Sequence, residues 1–186
     1  ATWIIEGVTI SAAGVPAPPT GPRDPYSERN PLAVFDIDGV LADVRHRLHH
    51  LEARPQRWEH FFQSADRDPL LVEGAERVRA ALAAHDVLYL TGRPERTRRL
   101  TEDWLVRHDL PVEPLVMRAD HDRRPARWLK RDVLRKLSAV RSVVSVLDDD
   151  PAVVSLLEAD GWPVELATWL PHSSTLRKAQ EDTGRT

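Results

Sequence analysis

The chain has 186 residues, of which 41% are hydrophobic and 30% charged, with a net charge of -3 and no cysteine. This length is enough for one α/β domain with its own core. The absence of cysteine excludes disulfides, thiolate zinc sites and a cysteine nucleophile. No apolar stretch is long enough to cross a bilayer, and we expect a cytoplasmic protein.

Charge is unevenly distributed along the chain. Residues 91–141 carry 14 Arg and Lys against 8 Asp and Glu, whereas the segments on either side are acidic. A basic middle segment is typical of a protein that meets an anionic ligand on one face. An ordinary salt-bridged helical surface would give the same pattern, so charge alone leaves both interpretations open.

The two ends of the chain are predicted to lie outside the main domain. Residues 3–10 predict one short strand, and the Pro-rich stretch 15–31 predicts a linker or arm. We therefore assign residues 1–31 to an N-terminal strand and arm and residues 32–170 to the main domain. The polar segment 171–186 is predicted to be a flexible tail.

Apolar runs and helical patterns alternate through the main domain. Short apolar runs predict strands at residues 32–38, 87–91, 115–117, 142–147 and 164–166. Amphipathic spacing predicts helices at residues 72–85, 94–108, 125–137 and 151–160. The insert 43–69 predicts one or two short helices broken at Pro55, which make a small helical cap. This alternation predicts an α/β fold, a Rossmann-like parallel sheet with helices on both faces.

Two aspartates follow the first strand of the predicted sheet. Asp36 and Asp38 are separated by one residue, and Gly39 comes directly after them. Side chains two residues apart on a strand share a face, and open α/β sheets bind ligands at the carboxyl ends of their strands. Because two neighbouring carboxylates repel each other, we expect them to share a cation, and Mg²⁺ is the predicted one.

Further polar residues lie at or near the ends of the later strands. They are Thr91 with Gly92, Lys130 in the helix that follows the third strand, and the pair Asp148 and Asp149. In a parallel sheet these groups can converge at one edge. Asp150 precedes Pro151, and we expect it to cap the following helix instead.

These motifs together resemble those of a known superfamily. Asp36-Ile37-Asp38-Gly39-Val40, Leu90-Thr91-Gly92-Arg93, Lys130 and Leu147-Asp148-Asp149 resemble the motifs of haloacid dehalogenase-like (HAD) phosphohydrolases. The chain is most similar to the phosphatase domain of polynucleotide kinase/phosphatase enzymes, through residues 91–95, 101–105 and 115–118. The resemblance covers about residues 32–170 and implies a HAD-like phosphatase.

The chemistry of phosphomonoester hydrolysis suggests a role for each of these residues. Asp36 is predicted to be the nucleophile that forms an aspartyl-phosphate, and Asp38 the general acid and then base. Thr91 and Lys130 are predicted to complete the catalytic set by holding phosphoryl oxygens and charge. Gly92, Arg93 and Arg118 are predicted to contact the substrate. The predicted metal ligands are Asp36, Asp38, Asp148 and Asp149.

The substrate is less well defined than the chemistry. The small cap, the basic middle segment and the family resemblance favour the 3′-phosphate of a nucleic-acid end. The chain has no Gly-x-x-x-x-Gly-Lys-Ser/Thr loop, so a kinase or ligase partner would lie outside these residues. Two alternatives remain open: a small-molecule phosphatase acting on a nucleotide or sugar phosphate, and a receiver-like domain that accepts a phosphoryl group on aspartate.

Two clusters in the predicted cap invite other functions. His46, His49 and His50 have helical spacing, but no acid or thiolate pattern completes a second metal site, so a solvated helix face is expected. The aromatic residues Trp58, Phe61 and Phe62 could stack a nucleobase. A small apolar core within the cap is the expected interpretation.

Overall fold

The computed structural model describes residues 3–5, 8–10, 30–112, 114–171 and 173–183. Residues 3–10 form not one strand but an antiparallel pair, β1 (Trp3–Ile5) and β2 (Val8–Ile10). This pair is a small sheet separate from the main one, so the expectation of a single strand is wrong. Most of the predicted Pro-rich arm lies outside the described residues.

A five-stranded parallel sheet lies at the centre of the domain. Its strands are β3 (Leu32–Phe35), β4 (Asp86–Pro94), β5 (Leu115–Arg118), β6 (Val143–Asp148) and β7 (Val164–Leu166). They lie in the order β5-β4-β3-β6-β7, which is 3-2-1-4-5 when counted within the sheet. The strand order reverses between β3 and β6, and open α/β sheets bind their ligands at such a point.

The described part of the chain contains seven α-helices. They are α1 (His49–Glu52), α2 (Trp58–Gln63), α3 (Val72–Ala81), α4 (Arg98–Arg107), α5 (Ala126–Ser138), α6 (Pro151–Ala159) and α7 (Ser174–Thr183). None of these helices is both long enough and apolar enough to cross a membrane.

Helices cover both faces of the sheet, as the alternation of residues along β3 requires. Ala33 and Phe35 pack in the same apolar cluster as residues of α3 and α4. Leu32 and Val34 pack in a second cluster with residues of α5 and α6. Successive side chains of a strand point to opposite faces, so an entirely apolar strand is stable only when both faces are covered. The predicted fold is confirmed.

Three boundaries, the ends of β3 and β4 and the start of α4, differ from the prediction. β3 ends at Phe35 because the backbone N–H groups of Leu41 and Ala42 both donate to Ile37 O, which turns the chain at once. β4 continues through Gly92 to Pro94, which pairs with Arg118 of β5, so Gly92 does not end the strand. The helix expected to begin at Pro94 starts later, after a short 3₁₀ helix at Glu95–Thr97.

The insert between β3 and α3 is a cap of short helices. Single 3₁₀ turns at Arg45–Arg47 and Ser64–Arg67 flank α1 and α2. Pro55 lies between α1 and α2 and cannot donate a backbone hydrogen bond, which is why the helical pattern is interrupted there. The predicted helical cap and its break are confirmed.

The cap shares a core with the C-terminal helix. Trp58, Phe61 and Phe62 of α2 are buried in one cluster with Leu176 and Ala179 of α7. The aromatic residues therefore form an internal core, as expected, and offer no stacking surface. The prediction of a flexible tail is wrong for Ser174–Thr183, because Leu176 and Ala179 lie one turn apart and give this segment an apolar side to bury.

Candidate active site

Acidic side chains from two paired strands meet at the carboxyl edge of the sheet. Asp36 directly follows β3, Asp148 ends β6, and Asp149 comes next. The backbone N–H of Asp36 donates to Leu147 O at 2.9 Å, which fixes Asp36 beside the end of β6. All three carboxyl groups are buried, and each offers an oxygen within 4.8 Å of the others. These three residues are called the acid group below.

Lys130 reaches the acid group from the second turn of α5. Its Nζ lies 2.8 Å from Asp36 Oδ2 and donates to Asp148 Oδ2 at 2.6 Å. Burial alone would lower the pKa of Lys130, but the charges of Asp148 and Asp36 outweigh this effect and raise it. Lys130 is therefore a permanently charged ammonium fixed between two carboxyl groups.

Burial dominates the electrostatics of the acid group. Burial raises the pKa of Asp36 to about 7, with the nearby Asp148 adding to the rise and Lys130 opposing it. Burial also raises the pKa of Asp148 to about 6, again against the effect of Lys130. The single charge of Lys130 thus does not fully offset the cost of burying ionised carboxylates. Additional positive charge at this place would favour their ionised forms.

The acid group has the properties of a divalent-cation site. Its donors are all carboxylate oxygens, the ligands that Mg²⁺ and Ca²⁺ prefer. Asp36 Oδ1 is buried and has no hydrogen-bond partner within the described part of the chain. Gly39, at a φ of 78°, makes room for this arrangement, because a Cβ there would lie 2.0 Å from Asp149 Oδ2. The residues present therefore fit a bound cation.

Asp38 points toward two buried arginines and not into the acid group. Its Oδ1 accepts hydrogen bonds from Arg93 Nε at 2.8 Å, Arg93 Nη2 at 2.6 Å and Arg47 Nη2 at 2.8 Å. Burial would raise the pKa of Asp38, but the two guanidinium groups outweigh it and hold this pKa at about 2. The Asp38 carboxyl is thus held by the two arginines outside the acid group, and its role as a metal ligand stays a prediction.

Asp68 completes a buried ionic network that the sequence did not indicate. Its carboxylate accepts hydrogen bonds from Arg47 Nε at 2.8 Å, Arg47 Nη2 at 2.9 Å and Arg93 Nη2 at 2.8 Å. His46 Nε2 lies 2.7 Å from the same carboxylate. Arg47 and Asp68 come from the cap and Arg93 from β4, so the network fastens the cap to the sheet edge. In the sequence, neither Arg47 nor Asp68 stands out among the other charges of the insert.

The segment Thr91-Gly92-Arg93 lies at the same edge but is engaged internally. Thr91 is fully buried, and its Oγ1 accepts a hydrogen bond from the backbone N–H of Arg93 at 3.2 Å. Arg118 is also fully buried and donates to Gly92 O at 3.2 Å and to Arg124 O at 2.7 Å. Burial lowers the pKa of Arg118 to about 10. Arg118 thus braces this segment, and its contact with substrate stays a prediction.

The remaining polar residues near the site have structural partners. Asp150 accepts a hydrogen bond from the N–H of Ala152 at 2.8 Å and caps α6, as predicted. The histidines of the cap are not part of any group with metal-binding geometry in the described ranges, where the acid group alone meets that criterion.

A family comparison identifies the domain that carries this site. The family model of the polynucleotide kinase PNKP phosphatase domain matches residues 31–164, most of the chain. The chain belongs to this phosphatase family. It is therefore a phosphatase of the HAD-like class, and the resemblance inferred from its motifs is confirmed. A search of curated proteins found no match.

Solved structures share the fold of this PNKP-type phosphatase domain. A chain of the Pnkp1/Rnl/Hen1 RNA repair complex is 26% identical, with a TM-score of 0.61, over 74% of this chain and 42% of that one. The class C acid phosphatase of Bacillus anthracis, solved with tungstate, is 13% identical with a TM-score of 0.56, over 76% and 67% of the two chains. A haloacid dehalogenase-like hydrolase of Streptococcus pneumoniae is 12% identical with a TM-score of 0.57, over 82% and 92%.

The share of each matched structure's own length that this chain covers differs between the relatives. The chain spans less than half of both matched chains from Pnkp1/Rnl/Hen1 complexes, 42% of one and 48% of the other. The two more distant structures show the fold alone.

Proposed function

We propose that this phosphatase uses Asp36 as a nucleophile, depends on Mg²⁺ and removes 3′-phosphates from nucleic-acid ends. The observation that carries the catalytic part is the environment of Asp36. One of its oxygens is held by Lys130 at 2.8 Å, while the other, Oδ1, is buried without a hydrogen-bond partner in the described residues. A carboxylate that is fixed on one side and open on the other can attack phosphorus.

In the first step, an Asp36 carboxylate oxygen attacks the phosphorus of the substrate. The bond from phosphorus to the ester oxygen breaks, and the leaving oxygen takes a proton from Asp38. Asp38 must therefore be protonated at this stage, although Arg47 and Arg93 hold it ionised in the substrate-free protein. The incoming phosphoryl anion competes for the same guanidinium groups, and by drawing them away it raises the proton affinity of Asp38.

In the second step, water hydrolyses the aspartyl-phosphate. Asp38, now a carboxylate, accepts a proton from the attacking water, and the bond between phosphorus and the Asp36 oxygen breaks to release inorganic phosphate. Lys130 stays charged throughout and stabilises negative charge at the transferred group. Asp148 and Asp149, with Asp36, would hold Mg²⁺, which supplies the positive charge that this buried acid group lacks.

Removing Mg²⁺ is expected to reduce turnover to about a hundredth or less, because the developing charge then has too little compensation. The measurement is the rate of phosphate release with EDTA and after Mg²⁺ is restored. A second measurement does not depend on activity: Mg²⁺ should raise the unfolding temperature of the wild type, since it binds only the folded protein. In Asp149→Asn this increase should be much smaller. Full activity in EDTA would contradict the metal assignment.

Several features support a nucleic-acid substrate. The cap is small, and the segment 91–141 that borders the site is rich in arginine. The family is that of a polynucleotide kinase phosphatase domain, and one similar chain belongs to an RNA repair complex. We further propose that a kinase or ligase partner acts from outside these residues, as such a complex would require.

The receiver-like alternative is excluded by the fold. Receivers have the flavodoxin-like strand order 2-1-3-4-5, whereas this sheet has the order 3-2-1-4-5. The small-molecule alternative is decided by a comparison of substrates.

A nucleic-acid 3′-phosphatase is expected to prefer a 3′-phosphorylated oligonucleotide to a 5′-phosphorylated one and to free mononucleotides. The reason is that a polymer adds binding energy along its strand, and only the 3′ end presents the phosphate in the correct orientation. The measurement is kcat/KM for the three substrates at equal Mg²⁺ and salt. Equal values for all three would reject the polynucleotide proposal and favour a small-molecule phosphatase, without affecting the catalytic assignments.

A further inference from the structure

We infer that Arg127, Trp128 and Arg131, at the start of α5, form a binding surface for the single-stranded nucleic acid that leads into the site. These three residues are called the α5 surface below. The inference rests on the proposed polynucleotide function and names the residues that would give this phosphatase its preference for a strand over a single nucleotide.

The position of the α5 surface follows from the helix that carries Lys130. α5 follows β5, so its first turns lie at the carboxyl edge of the sheet, where the acid group is. Arg127 precedes Lys130 by three residues and therefore lies on the same side of the helix, about one turn or 5 Å nearer to its start. Because Lys130 Nζ contacts Asp36, a strand whose terminal phosphate binds there can pass Arg127.

The side chains of the α5 surface form a cationic and aromatic group. Arg131 Cζ lies 4.4 Å from the centroid of a Trp128 ring, and Arg127 Cζ lies 5.5 Å from it. All three residues are partly exposed. Indole rings and guanidinium planes both stack nucleobases, and guanidinium groups also bind phosphates. The combination suits a single strand, whose bases are free to stack.

Other groups near the site are less suited to this role. The aromatic residues of the cap are buried in its core and cannot reach a base. Arg124 is bound closely to two carboxylates, Asp122 at 2.7 Å and Asp132 at 2.6 Å, whereas Arg131 contacts Asp132 only at 3.5 Å. Within the described part of the chain, the α5 surface thus combines partly exposed aromatic area with arginine on the first turns of the helix that carries Lys130.

The test compares kcat/KM for a 3′-phosphorylated octanucleotide with that for a nucleoside 3′-monophosphate. In the wild type the ratio should exceed one. In Trp128→Ala the ratio should fall about five-fold or more, since a stacked base is lost. In Arg127→Ala the ratio should also fall, and the slope of log kcat/KM against log salt should decrease by about 0.7 for the lost phosphate contact.

The ratio separates an effect on strand binding from an effect on folding. A general loss of structure lowers kcat/KM for both substrates alike and leaves the ratio unchanged. Arg135→Ala is the matched control: Arg135 lies on the same helix, two turns beyond Arg127, is 54% exposed and pairs with Asp160 at 2.9 Å. It should keep the wild-type ratio. An unchanged ratio in Trp128→Ala and Arg127→Ala, with a wild-type ratio above one, would overturn the inference and leave the proposed function intact. A wild-type ratio of one would instead reject the polynucleotide function itself.

Discussion

Replacing Asp36 by Asn is expected to lower kcat by about 10⁴-fold or more, because no other group can take over the covalent step. Asn has nearly the same shape and volume as Asp, so the packing of the site is kept while the nucleophile is lost. The measurement is phosphate release under saturating substrate and Mg²⁺, together with a search for phosphorylated protein after acid quenching. The wild type should yield the aspartyl-phosphate and Asp36→Asn should not.

The same variant separates catalysis from stability. Burial raises the pKa of Asp36 to about 7, so ionisation of this carboxyl lowers the free energy of unfolding. Above pH 7 this loss of stability is present in full. Without added metal at pH 8, Asp36→Asn should therefore unfold at the same temperature as the wild type or higher. Asp103→Asn, at a position whose side chain is 66% exposed, serves as a surface control and should keep full activity. Retained turnover in Asp36→Asn would refute the nucleophile assignment.

Replacing Lys130 by Met is expected to cost about 3–5 kcal/mol of folding free energy at pH 8, because it leaves two buried carboxylates without their cation. Activity should fall about 10³-fold as well, since the transferred phosphoryl group loses a fixed positive charge. The measurements are thermal unfolding without metal at pH 8 and pH 5, and kcat at pH 8.

The pH dependence follows from the raised pKa values of the two acids. The pKa of Asp36 is about 7 and that of Asp148 about 6 in the wild type, and losing Lys130 raises both further. As the pH falls through this range the carboxyl groups take up protons, and the destabilisation of Lys130→Met should shrink. Lys136→Met, on the same helix but partly exposed, should show no such trend. If Lys130→Met lost the same free energy of unfolding at pH 5 as at pH 8, Lys130 would stabilise the protein through packing alone.

The meeting of the acids at one edge of the sheet was predictable because their signals are local. Asp36 and Asp148 each end a short apolar run, and parallel strands bring such ends to one edge whatever the details of packing. Predicting the position of Lys130 required more than a local signal, since a lysine in a helix is usually on the surface. Its place in the order of motifs, together with the family resemblance, indicated its role, and the structure places its Nζ 2.8 Å from Asp36.

The partners of Asp38 were not predictable from the sequence. With 26 Arg and Lys in the chain, nothing in the local pattern distinguishes Arg47 from other charges of the insert. Arg47 and Asp68 lie 21 residues apart and meet only because the cap folds back onto the sheet edge. The C-terminal helix was missed for a related reason, because its apolar side is narrow and is buried only when the cap provides a partner surface.

Local sequence therefore determined the alternation of strands and helices, the order of the motifs and the edge at which the acids gather, since each depends on residues close together in the chain. The tertiary structure alone decided which buried charges pair with which. That choice pairs Asp38 with Arg93 and Arg47, leaves Asp36 and Asp148 to share Lys130, and places Asp149 beside these two acids. In a buried site, a charge is stabilised by whichever opposite charge the packing brings within reach, and distance along the chain does not specify it.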